Sequence, residues 1–185
     1  KREGIGWGGV VYVEAKAMLS ANEIRTCLQE LSDQLCTRSI QGEICLYGGA
    51  VMCLAYAARP STKDVDAIFE PTQTIRAIVH QVAQLHDLPD DWLNDAVKGF
   101  VVPHPQRILI ELACLRVYIP EPDYLLAMKS MAARVDTQDR TDIEFLIKKL
   151  DIRSAEEVFK IIETYYRKQQ IKPATRYFIE ELFEA

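Results

Sequence analysis

The sequence has no surplus of positive charge: 22 Lys and Arg stand against 27 Asp and Glu, for a net charge of −5. Non-specific binding of duplex DNA depends on neutralising phosphates, so that class of partner is set aside. Nucleotide binding stays open, because a divalent ion supplies positive charge where the phosphates sit. Long apolar runs are also lacking, and none reaches the ~18 residues of a membrane-spanning helix. The first residues do not show the basic, apolar and small-residue order of a secretion signal. A cytoplasmic protein without membrane contact is therefore expected.

Metal–thiolate patterns are missing as well. The five cysteines, Cys27, Cys36, Cys45, Cys53 and Cys114, are odd in number and contain no C-x-x-C pair. His80, His86 and His104 are scattered and form no zinc pattern with them. Cys45, Cys53 and Cys114 lie in apolar segments, and all five are expected to be reduced thiols, mostly in the core. There is no internal repeat, low-complexity tract or flexible linker.

What remains is an ordinary globular composition, 49% hydrophobic and 26% charged over 185 residues. That is enough for one domain with a sizeable core, or a small domain with a helical appendage. Ser20-Ala-Asn-Glu23 is a capping box, and Ile24, Leu28, Leu31 and Leu35 follow at helical spacing. These predict a helix from about Asn22 to Thr37. Ile44 to Tyr47 reads as a short buried strand, Gly48-Gly49 as a break, and Ala50 to Ala58 as a buried helix. Arg59 to Thr62 is a loop and Val65 to Phe69 a strand. Ile75, Ile78, Val79, Val82 and Leu85 form the stripe of an amphipathic helix. After an acidic turn at Asp87 to Asp95, two or three short strands are expected, near Gly99–Val102, Ile108–Leu112 and Leu115–Ile119.

Pro120 and Pro122 mark a change, and four helices should follow, near Asp123–Arg134, Thr137–Leu150, Ala155–Arg167 and Pro173–Phe183. The expectation is an α/β (α+β) fold with a small mixed sheet and flanking helices. Residues 1–17 would be an N-terminal extension, native or appended, 18–120 the core, and 121–185 a helical part packed on it.

Three features carry chemistry. Gly48-Gly49, between a strand and a helix, allows close backbone approach to phosphate oxygens, although such turns are often only structural. Asp64 and Asp66, two apart on a strand, face one way. Two carboxylates that close repel unless a cation lies between them, and Mg²⁺ takes one or two carboxylates plus phosphate oxygens. The plain alternative is an acidic strand edge. Lys129 falls on the apolar stripe of its helix and needs an anionic partner, which Asp139 or Asp142 should supply. It is either a structural ion pair or a nucleotide contact.

Together, Gly48-Gly49, a helix, and then Arg59, Thr62, Asp64 and Asp66 in an R-x-x-T-x-D-x-D order resemble the signature of the DNA polymerase β-like nucleotidyltransferase superfamily. Asp91 to Asp95, Pro122 to Arg134 and Asp139-x-x-Asp142 resemble minimal nucleotidyltransferases such as the toxin component of AbiE-type abortive-infection systems. The resemblance spans about Ile44 to Leu150. It implies that Gly48 and Gly49 line the triphosphate, with Arg59 and Thr62 beside them. It further implies that Asp64 and Asp66 hold Mg²⁺, that Lys129 meets phosphate, and that Asp142 lies near the base or metal. The superfamily's third carboxylate has one strand-like candidate, Glu111.

The activity so implied is transfer of a nucleotidyl group from Mg–NTP to a hydroxyl on RNA, protein or a small molecule. The alternative is an inactive binding or regulatory protein of the same fold, one half of a toxin–antitoxin or defence pair. A purely structural adaptor would require Asp64 and Asp66 to face solvent with no cleft beside them.

Overall fold

The computed structural model describes residues 18–132 and 137–184. The extension 1–17 and Arg134, the expected end of a helix, lie outside them. The first strand is short, β1 (Leu19–Ser20), and leads into α1 (Ala21–Thr37). The capping box forms as its sequence dictates: the Ser20 hydroxyl accepts from the Glu23 amide and the Glu23 carboxylate accepts from the Ser20 amide at 2.8 Å. Ile24, Leu28, Leu31 and Leu35 are fully buried, so the stripe read from the sequence is the packing face.

Next come β2 (Gly42–Leu46), α2 (Gly48–Leu54), β3 (Ser61–Thr62), β4 (Val65–Glu70), α3 (Thr72–Leu85) and β5 (Leu93–Asn94). The hairpin β6 (Gln106–Glu111) and β7 (Leu115–Pro120) follows, and then α4 (Pro122–Ala132), α5 (Thr137–Lys149), α6 (Ala155–Tyr165) and α7 (Pro173–Glu181). The fold is α+β. Five strands form a mixed sheet in the order β5-β4-β2-β7-β6, with β2 antiparallel to β4 and parallel to β7. A separate two-stranded ribbon joins β1 to β3.

The sheet has two unlike faces because side chains alternate along each strand. Ile44, Leu46, Val65, Ala67, Val117 and Ile119 enter the main core, which α1 and α3 cover. Cys45, Tyr47, Asp66, Ile68, Glu70 and Tyr118 belong to the other face. There Cys45 and Tyr47 pack with Val97 and with Tyr124 and Met128 of α4. Trp92 is fully buried at the edge, and its indole N–H donates to the carbonyl of Val79 at 3.2 Å.

Several expectations need correcting. Gly99–Val102 is not a strand: Ala96–Gly99 is a 3-10 turn, and the Val102 amide donates to the Tyr124 hydroxyl at 3.1 Å rather than to a neighbouring strand. Pro103 and Pro105, which lack amide donors, would in any case interrupt a ladder there. The buried helix begins two residues earlier than Ala50 and stops at Leu54. Leu85, placed on the α3 stripe, ends that helix and is 64% exposed.

The cysteines are not all thiols. Cys36 and Cys114 form a disulfide between the end of α1 and the β6–β7 turn, while Cys27, Cys45 and Cys53 are buried and free. The two bonded residues are 78 positions apart, and nothing local in the sequence pairs them. Among the described residues, no helix is long and apolar enough to cross a membrane.

Candidate functional site

Two antiparallel strands build the site at one end of the sheet. The Tyr47 amide donates to the Asp66 carbonyl at 2.8 Å, which brings the exit of β2 beside the entry of β4. Gly48 then turns with φ +58°, a left-handed conformation that glycine adopts without strain. A Cβ added at Gly48 would lie 2.9 Å from Asp66 Oδ2. The glycine turn and the Asp66 carboxylate thus face each other directly. Asp64 precedes β4 by one residue and Asp66 lies within it; both are half-buried, whereas Val65 between them is fully buried.

Gly49 is hemmed in by the segment before β4, of which Ser61–Thr62, expected to belong to a loop, form β3. A Cβ there would lie 2.3 Å from Thr62 Oγ1 and 2.8 Å from Arg59 Nη1. The β-branched Thr62 is 4% exposed and its hydroxyl donates to the Asp64 carbonyl at 3.2 Å. Gly49→Ala is therefore expected to displace Thr62 and Arg59 and cost about 1–3 kcal/mol, the usual range for overpacking. A thermal melt checks this, and an unchanged midpoint would show that the loop yields freely.

Arg59 carries the site outward to the helical half. Its Nε donates to Asp142 Oδ1 at 3.2 Å, and its Nη2 pairs with Asp142 Oδ2. Lys129 Nζ lies 2.6 Å from the same Oδ2 and 3.8 Å from Asp139 Oδ1. Asp142 is 1% exposed and Lys129 8%. One carboxylate from α5 therefore ties Lys129 of α4 to Arg59 beside the Gly48-Gly49 turn. The sequence-based need of Lys129 for an acid is met by both candidates, with Asp142 the nearer. Asp142 itself is enclosed between two cations.

Glu111 does not join this group. It sits at the end of the edge strand β6, 63% exposed, with Arg116 Nε donating to Oε1 at 3.2 Å. In register it aligns through Arg116 with Glu43, at the end of β2 remote from Gly48. Four residues along β2 and three strands across separate it from Asp66, on the order of 20 Å. Its apolar neighbours in the sequence concealed this direction. Among the described residues, no group of three His, Cys, Asp or Glu could hold a metal ion. The pair Asp64 and Asp66 still suits Mg²⁺ that arrives with phosphate oxygens of its own.

An aromatic cluster beside the site was not anticipated. The His104 Nδ1–H donates to the Val102 carbonyl at 2.7 Å, which leaves Nε2 to accept from the Tyr47 hydroxyl at 3.3 Å. The imidazole stacks on Tyr124 with centroids 3.8 Å apart. Burial holds its pKa below the ordinary value, so the ring is neutral at pH 7. Burial likewise pushes the Cys45 thiol up to about 11. These residues come from β2, a loop and α4, and their sequence spacing carries no signal. The pattern Pro103-His104-Pro105 is the only local oddity.

A family model described as "Nucleotidyltransferase of unknown function (DUF6036)" matches residues 24–179. No curated protein and no solved structure matches the chain.

Proposed function

Because the chain belongs to this nucleotidyltransferase family, we propose that it binds Mg–NTP at the Gly48-Gly49 turn and transfers a nucleotidyl group to an acceptor hydroxyl. The observation that carries the reading is the direct opposition of the Gly48 backbone and the Asp66 carboxylate. A backbone turn without side chains accommodates phosphate, and a carboxylate facing it accommodates the cation that phosphate brings. Asp64 and Asp66 would hold Mg²⁺, which orients the phosphates and neutralises developing charge. Thr62 and Arg59 fix the turn from one side. Lys129 and Asp142 hold the helical wall against it.

In the transfer, the acceptor oxygen bonds to the α-phosphorus and the bond from that phosphorus to the bridging oxygen breaks. Pyrophosphate leaves with the electron pair, and the hydroxyl proton passes to solvent water. With Glu111 remote, this chain supplies binding and orientation more visibly than a base.

That same lack of a three-carboxylate group among the described residues favours a second reading. In it the protein binds Mg–NTP without turning it over and acts as a regulatory module, as in one half of a toxin–antitoxin pair. Two measurements separate the readings. Incubation with labelled NTPs, Mg²⁺ and total RNA or lysate detects transfer. Thermal shift detects binding alone: a ligand at a hundred times its Kd adds ~2.7 kcal/mol to stability. Asp66→Asn is expected to fold normally and lose most of that gain. Equal stabilisation of both proteins by Mg–NTP would remove Asp66 from the site.

A further inference from the structure

Phe100 is 70% exposed, although its backbone is tied down on both sides. Its amide donates to the Val97 carbonyl at 2.9 Å, and its carbonyl accepts from the Tyr166 hydroxyl at 3.3 Å. Two residues on, the Val102 amide is held by the Tyr124 hydroxyl. A large apolar side chain in solvent is ordinary by itself. Here a backbone fixed by two tyrosine hydroxyls, one from α4 and one from the end of α6, holds it out. An aromatic ring presented in this way loses little freedom when a ligand lands on it, which suits a binding surface.

The ring stands next to the candidate nucleotide site. Asn94 of β5 is the register partner of Asp66. The 3-10 turn Ala96–Gly99 follows, and its Val97 packs with Tyr47, the residue before Gly48. Lys98, Gly99 and Phe100 form the outer side of this turn, and all three are exposed. A Cβ added at Gly99 would meet nothing within 4 Å, so the approach from solvent is open. Arg167, which follows Tyr166 directly, is exposed as well. Among the described residues, neither Lys98 nor Arg167 makes an ion pair with an acidic side chain. In a chain of net charge −5, two uncompensated cations thus flank an outward aromatic ring beside the Gly48 turn. Stacking on an aromatic face together with neutralisation of phosphates is the chemistry that holds unpaired bases.

We propose that Phe100, with Lys98 and Arg167, is a platform for single-stranded RNA, and that this RNA is the acceptor of the nucleotidyl group. The acceptor role rests on the nucleotidyl-transfer reading; the binding does not. One unpaired base stacks on Phe100 and the two cations take neighbouring phosphates. RNA fits because its loops and ends leave bases free to stack on aromatic side chains. A duplex keeps its bases stacked on one another and offers none to Phe100. A terminal ribose hydroxyl of the docked strand is the attacking oxygen, with the bond changes given above.

The test measures binding of the full chain, by fluorescence anisotropy, to a non-self-complementary RNA oligonucleotide. The same RNA paired with its complement, the corresponding DNA strand and a heparin oligosaccharide, a polyanion without bases, are run alongside. The single-stranded RNA is expected to bind at least about tenfold more tightly than the duplex or heparin, and at least as tightly as the DNA strand. Phe100→Ala should weaken RNA binding about tenfold while melting close to the wild-type temperature, because the ring supports no packing. Phe100→Trp should restore the affinity. Lys98→Gln should lower the dependence of log affinity on log salt by about 0.7, the value for one phosphate contact on a single strand.

Absence of RNA binding, heparin or duplex binding as tight as the single strand, or tighter binding of the DNA strand would overturn the proposal. So would a Phe100→Ala variant with undiminished RNA affinity, which would leave the ring to some other partner. Thermal shift with Mg–ATP is measured separately and should be the same in wild type and Phe100→Ala. RNA binding without any response to Mg–ATP would sustain the platform and overturn its acceptor role. A response to Mg–ATP without RNA binding would overturn the platform and leave the nucleotide site standing.

Discussion

Asp142→Ala is expected to destabilise the protein by about 3–5 kcal/mol, the range for breaking a buried ion pair from one side. The physical reason is that the carboxylate serves two cations. Its loss leaves Arg59, 12% exposed, without its partner in α5, and leaves Lys129, among the described residues, with only Asp139 as an ionic partner, at 3.8 Å. Burying a charge with no counter-charge is far more costly than never having the pair. Lys129→Met is the informative comparison. It keeps the apolar stem and leaves the Arg59–Asp142 pair intact, so it should cost clearly less.

Urea unfolding of the two variants reads both numbers. If Asp142→Ala falls within about 1 kcal/mol of wild type, an ordinary mutational loss, the cluster does not hold the two halves together. Mg–NTP binding by Lys129→Met then decides whether the ammonium does more than pair. Affinity about tenfold lower than wild type would give Lys129 a phosphate contact worth ~1.4 kcal/mol. Unchanged affinity would leave it a structural residue.

The second large effect is expected from the crosslink. Removing it by the double substitution Cys36→Ser and Cys114→Ser should cost about 2–4 kcal/mol, typical for a bond closing a long loop. Here the bonded residues are 78 positions apart. Hydrogen bonds would still tie the same region together: the Cys114 amide donates to Ser32 Oγ at 3.1 Å, and the Gly42 amide to the Cys114 carbonyl at 2.9 Å. The folded structure should therefore survive. Wild type should lose a similar amount of stability in reductant, and the double variant should not respond. A thiol titration of denatured, unreduced wild type should find only Cys27, Cys45 and Cys53. Five reactive thiols would mean that the bond does not form.

Local signals in the sequence carried most of the architecture. The Ser20–Glu23 capping box set the start of α1, and the alternation Val65-Asp66-Ala67-Ile68-Phe69 set both the strand and its buried face. Gly48-Gly49, Arg59, Thr62, Asp64 and Asp66 lie within one strand–helix–strand passage, so their proximity could be read from order alone. What escaped the sequence depends on distant partners. Arg59 meets Asp142 across 83 positions and Tyr47 meets His104 across 57. The sequence asked for an acid near Lys129 without revealing that the same acid would also hold Arg59. That Glu111 lies apart from Asp64 and Asp66 was not legible, because a run of apolar neighbours shows that a strand exists but not which way a side chain on it points. The segment Gly99–Val102 failed because its backbone donor is claimed by a tyrosine hydroxyl from α4.

Among the described residues, one outer margin of the sheet is formed by β6, which pairs with β7 alone. An edge strand offers unpaired amides and carbonyls to any other extended chain, a standing invitation to aggregate. Here the pairing register with β7 shifts between Ile108 and Ile110, an irregularity that bends such an edge. Arg107 and Glu111 also place opposite charges toward the two ends of the strand, and Pro105 precedes it without an amide to offer. Ile108, at 49% exposed, is the one large apolar side chain among the exposed positions of β6. The irregular, charged edge thus discourages copies of the chain from adding to this margin strand by strand, and keeps that side of the sheet from seeding fibrils.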